Sequence, residues 1–134
     1  MLALPQAAGA RLLVERMSVQ PGVELIVAVR GDAVVPALLI GIGGIWTEVL
    51  GDAAVIPLPA GAERIGAAIA SLRGAPLLLG ARGTEPVDLG AVAEAAARIG
   101  EIAIAERLAL LEVNPLIATA DGCIALDAVA RRSP

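Results

Sequence analysis

The chain has 134 residues, a net charge of −4 and 57% hydrophobic residues. That length makes one domain with a real core, and an acidic balance without a basic run argues against nucleic acid. It contains no His and no Lys, and Cys123 is its single cysteine. Imidazole bases, lysine Schiff bases, a lysine-bearing phosphate loop, a disulfide framework and a cysteine metal site are therefore excluded on this chain.

The longest uncharged run, Ala33–Thr47, is too short to span a membrane and is broken by Pro36 and glycines. The N-terminus lacks the basic head and long apolar stretch of a signal peptide. The expectation is a soluble, cytoplasmic protein with no membrane segment. Trp46 is the sole aromatic residue, so the core must be aliphatic. So much aliphatic side chain on so small a domain implies that a partner subunit or a homodimer covers part of it.

Along the chain, Arg11–Met17 is a short strand candidate, followed by a turn at Pro21-Gly22. Glu24–Arg30 alternates as a second strand closed by Gly31-Asp32, and Val34–Gly44 is a third, running out into glycines. Residues 45–59 are ambiguous, with room for one short strand. Residues 59–74 form a helix with Ile65, Ala68, Ile69 and Leu72 inward and Gly74 as its C-cap. A loop with two Arg-Gly pairs follows. A longer helix over 87–106 has Asp88 as N-cap and Leu89, Val92, Ala96 and Ile99 inward. Leu108–Ala118 and Cys123–Ala130 then make a hairpin around "TADG". This order predicts one α+β domain over residues 1–134, a mostly antiparallel sheet with two helices on one face. Residues 1–10 and 131–134 are expected to be flexible ends.

The terminal hairpin carries the candidate chemistry. Period-two alternation puts Glu112, Asn114 and Asp127 on one face. A four-residue loop sets Asn114 opposite Asp127, whereas a two-residue loop makes them diagonal. Either way two carboxylates and an amide converge, a hard-oxygen set suited to Mg²⁺. Pro115 cannot donate to a ladder, which implies an edge or a bulge beside them. The plain alternative is the solvent face of an ordinary hairpin. Cys123 reads as a small core residue, Trp46 as core or interface filler, and Arg73 and Arg82 as solvated or capping residues.

"EVNPLI" followed by "GCIALDAV" resembles the end of the ATP-grasp domain in ADP-forming acyl-CoA synthetases, relatives of succinyl-CoA synthetase. "VELIVAVRGD…PALLIGIGGIWTEVLGD" is similar to that family's strand pair and Gly-Gly loop. "IASLRGAPLLLGARG" is similar to its helix and Arg-Gly loop, and "LLVERM" to the segment between its two lobes. The resemblance implies the C-terminal lobe of such a domain, binding ATP or ADP with Mg²⁺ held by Glu112, Asn114 and Asp127. It also implies that Glu15 and the backbone near Met17 meet adenine and that Glu24 meets the ribose hydroxyls. Gly43 and Gly44 would bring backbone close to phosphate.

The implied partners are a complementary ATP-grasp lobe and a CoA-binding domain or subunit that carries the phosphohistidine. The chain departs from the family's pattern at Gly51 and Ile56, where a Lys and an Arg usually stand. The lobe whose lysine reaches the phosphates is absent from it. The isolated chain is therefore expected to have no synthetase activity. The alternative from another class is a non-catalytic assembly module that keeps the lobe's fold.

Overall fold

The computed structural model describes residues 14, 15, 17, 22–44, 51–83 and 85–132. Its elements are β1 (Val23–Arg30), β2 (Ala37–Ile42), β3 (Ala53–Pro57), α1 (Ala62–Ala70), α2 (Ala75–Leu78), α3 (Leu89–Ala105), β4 (Leu108–Thr119), β5 (Gly122–Ala125) and β6 (Ala128–Arg132). The strands make a single sheet in the order β3-β2-β1-β4-β5, with β6 also on β4, and every pairing is antiparallel. This is the α+β sheet expected from the sequence.

Alternation in β1 sets the layers. Leu25, Val27 and Val29 are fully buried, while Glu24 and Arg30 are exposed on the other side. Leu38 and Ile40 of β2 and Val113 and Leu116 of β4 join the buried face, against Ile65 and Ile69 of α1 and Val92 and Ala96 of α3. The helices thus cover one face of the sheet and leave the other open. Ile56 belongs to the core, at 3% exposure, and pairs with Leu38.

Several local expectations change. Gly74 does not cap the first helix, which ends at a Ser71 C-cap; it precedes α2 instead. The Arg-Gly loop thus contains α2, and a 3-10 turn at Ala81–Gly83. The ambiguous segment holds β3, at the sheet edge. Asp88 is the N-cap of α3, its Oδ1 accepting from the Ala91 N–H at 2.9 Å. Arg131 and Arg132, expected in a frayed tail, pair with β4 as the end of β6. Of the Arg11–Met17 strand candidate, Val14, Glu15 and Met17 are exposed and lie in no strand, and the remainder falls outside the described residues. Pro21, Trp46 and the Arg82 side chain also fall outside them. Among the described residues, no helix is long and apolar enough to cross a membrane.

The buried face makes a direct prediction. Leu38 is fully buried beneath the helices, so Leu38→Ala removes packed methyl groups and leaves a cavity. Stability should fall by about 2–5 kcal/mol, read from chemical denaturation with an unchanged slope.

Candidate functional site

The terminal hairpin positions the polar set. Thr119 pairs with Gly122, so the loop is the two residues Ala120-Asp121, and Gly122 opens β5 at φ +136. The two-residue loop does not make Asn114 and Asp127 diagonal as expected: it closes one residue earlier than the Asp-Gly pair, and that register sets them across from each other. The Asn114 N–H donates to the Asp127 carbonyl at 3.1 Å, and the Leu126 N–H donates to the Pro115 carbonyl at 3.1 Å.

Pro115 has no N–H to return, and the arm facing β4 breaks at Leu126-Asp127 into β5 and β6. On the other side of β4, Leu25 pairs with Leu116 but Val27 with Val113. Asn114 and Pro115 therefore stand against the single residue Ile26, a bulge inside an interior strand. The edge-strand alternative for Pro115 does not hold.

The three side chains lie at this break. Glu112, Asn114 and Asp127 line one shallow pocket together with Ala128 and Val129. Asn114 Nδ2 donates to Glu112 Oε1 at 3.4 Å, and Asp127 Oδ1 accepts from the Ala128 N–H at 2.7 Å. No ion pair joins Glu112 or Asp127 to an arginine among the described residues. Two carboxylates share a concavity without a cation to balance them, which is chemistry that suits a divalent metal.

A second set lies on the same open face. Gly43 donates its N–H to the Glu24 carbonyl at 2.7 Å, and a Cβ on Gly43 would fall 3.1–3.2 Å from Glu24 and Leu25 backbone atoms. Gly44 adopts φ +71, and a Cβ there would lie 3.0 Å from Glu24 Oε2. The glycine pair is needed because the end of β2 passes this close to Glu24. Ala28 pairs with Glu112, so four residues of β1 separate the two sets, about 14 Å at strand rise. Glu15 and Met17 are exposed, and no hydrogen bond or ion pair joins them to either set.

Sequence reasoning missed Asp52. Its side chain is only 7% exposed and accepts from the N–H groups of Arg73 at 3.0 Å and Gly74 at 2.7 Å. The Asp52 carbonyl accepts from the Ile42 N–H at 3.4 Å, so this residue ties the strand entering the glycine loop to the turn after α1. Arg73 adds an ion pair at 3.8 Å. No local signal marks a carboxylate whose partners lie 21 and 22 residues away. Cys123 is half-buried, its thiol directed at the Ala91 carbonyl at 3.7 Å, and burial pushes its pKa up, consistent with an inert packing role.

The open face of this antiparallel lobe thus carries a glycine crossing at one end and a carboxylate–amide pocket further along. The ATP-grasp domain family model matches residues 2–131, and the chain belongs to that family. Among its relatives, the beta subunit of ADP-forming acetate–CoA ligase I of Pyrococcus furiosus is 35% identical over 109 residues, 80% of this chain and 47% of that subunit. A trans-feruloyl-CoA synthase from an unknown prokaryote is 31% identical over 88% of this chain and 17% of its own length. A similar solved structure is the dinucleotide forming acetyl-coenzyme A synthetase 1 of Ca. Korarchaeum cryptofilum, in complex with coenzyme A and Mg-AMPPCP. It superposes with a TM-score of 0.79 at 33% identity, over 85% of this chain and 55% of that one. The chain thus spans about half of the acetate–CoA ligase subunit it matches, and far less of the feruloyl enzyme.

Asp52 gives a pH-dependent expectation. The Gly74 N–H above all, with the Arg73 N–H and guanidinium, holds its carboxyl below the usual carboxylate value of 3.8. A folded pKa below the unfolded one stabilises the fold fully above the unfolded value and loses that contribution as pH falls through the folded one. Thermal midpoints measured from pH 6 down to pH 2 should therefore fall less steeply below about pH 4 in Asp52→Asn than in the parent. At neutral pH that variant should already melt lower.

Proposed function

We propose that this chain is the nucleotide-binding lobe of an ADP-forming acyl-CoA synthetase, acting in acyl-CoA + ADP + phosphate ⇌ acid + CoA + ATP. The observation that carries the reading is the convergence of Glu112, Asn114 and Asp127 in one pocket on the open face, with no arginine balancing the carboxylates among the described residues. Membership of the ATP-grasp family and likeness to acid–CoA ligases support it.

In this reading Glu112, Asn114 and Asp127 hold Mg²⁺. The bound ion would neutralise phosphate oxygens of ADP or ATP. Glu24 accepts from the ribose hydroxyls, its backbone clamped by the Gly43 N–H. Gly43 and Gly44 let the chain approach phosphate closely, and Glu15 with the Met17 backbone meets the adenine. A complementary ATP-grasp lobe closes the cleft. The phosphoryl group passes to or from a histidine on a CoA-binding domain or subunit, because this chain has no histidine.

Calorimetric titration with Mg²⁺–ADP tests the reading, with the complementary lobe supplied. Asp127→Ala should weaken binding by about tenfold or more, since a charged ligand is lost. Unchanged affinity in that variant would sink the metal assignment. The chain alone should show no synthetase turnover.

A second reading, a non-catalytic assembly module, is favoured by the apolar side chains on the outer arm of the hairpin. Ile124, Leu126 and Val129 are 45%, 43% and 50% exposed. Absence of nucleotide binding even with the complementary lobe present is the outcome that selects it.

A further inference from the structure

One strand step beyond Glu112, the open face changes sign. Arg30 of β1 pairs with Leu110 of β4, and Leu110 pairs on its other edge with Arg131 of β6. Directly paired residues point to the same side of a sheet. Both arginines therefore stand on the face of Glu112, which is the next same-side residue of β4.

Two further observations place them. Arg132 turns to the opposite face, where Nη2 lies 3.5 Å from Glu106 Oε2 just after α3. Its neighbour Arg131 must then project to the open side. Asp32, which accepts from Arg30 Nε at 3.1 Å and Nη2 at 3.3 Å, also lies within the field of Arg131. Asp32 thus feels both guanidinium groups, and only Arg30 is bonded to it. Arg131 makes no hydrogen bond or ion pair among the described residues.

Strands about 4.8 Å apart set the Arg30 and Arg131 backbones about 10 Å apart, with only Leu110 between them. Two long side chains can meet over that leucine. A group held there would lie about 7 Å along β4 from Glu112.

We propose that Arg30 and Arg131 form an anion site that takes a phosphate group beside the Glu112–Asn114–Asp127 cluster. Planar guanidinium forks match phosphate oxygens, and a site flanked by a metal cluster and two arginines is suited to a group with several negative oxygens. Its place in phosphoryl transfer rests on the nucleotide-lobe reading above. The phosphate has two sources in that reading, the terminal group of the nucleotide or the group exchanged with the partner histidine.

The test is titration of the chain with inorganic phosphate, with and without Mg²⁺, following the arginine Nε–Hε signals by NMR. Saturable shifts confined to Arg30 and Arg131 are expected. Arg131→Gln should weaken the response at the Arg30 signal about tenfold, and Arg30→Gln that at the Arg131 signal, while the amide spectrum stays that of the parent. No saturable response, or equal small shifts over all exposed arginines, would overturn the proposal.

Mg²⁺–ADP and Mg²⁺–ATP then separate the sources. Shifts of the two signals by ATP and not by ADP support occupancy by the nucleotide's terminal phosphate. Phosphate shifts that persist with ADP bound support the exchanged group. Failure of the metal reading is distinguishable: the phosphate response would then be identical without Mg²⁺ and in Asp127→Ala. Failure of the arginine site leaves no response at these two signals under any condition.

Discussion

A proline in the longest strand has no N–H to give, and the arrangement of the open face follows from that lack. β4 is bonded on both edges, so Pro115 cannot simply face solvent. The sheet accommodates it twice at one level: as a bulge against Ile26 on the β1 side, and as the break between β5 and β6 on the other. Where the ladder relaxes, Asn114 and Asp127 lie across from each other with Glu112 alongside. The backbone irregularity and the polar cluster thus stand at the same level of the sheet.

The open face also has an order along its length. Glu24 and the glycine crossing stand at one end of β1, the carboxylate–amide pocket further along, and the Arg30–Arg131 row beyond it. The helices contribute nothing to this face directly. They bury its back, so that short-range packing behind the sheet fixes the register that the front displays.

Much of this was legible locally. Alternation identified β1, the inward positions of both long helices were correct, and Asp88 announced α3 because an N-cap works within its own turn. The face shared by Glu112, Asn114 and Asp127 needed only period-two parity. What escaped depends on partners distant in sequence. Gly74 has the appearance of a C-cap, yet its N–H is drawn to the Asp52 carboxylate and it leads into α2. The arginine row was invisible for the same reason, since Arg30 and Arg131 meet only through the pairings of Leu110.

The sheet's connectivity bears on how the chain reaches its fold. β1, β2 and β3 pair in sequence order, but the second neighbour of β1 is β4, which begins only at Leu108. Closing that pairing spans the whole helical segment, a non-local step of the kind that slows folding. Until it closes, the edge of β1 destined for β4 is bare and the Val27–Val113 layer of the core is unbuilt. A nascent chain at that stage presents an unpaired apolar strand edge. That edge of β1 is thus covered only by the strand that carries the polar cluster.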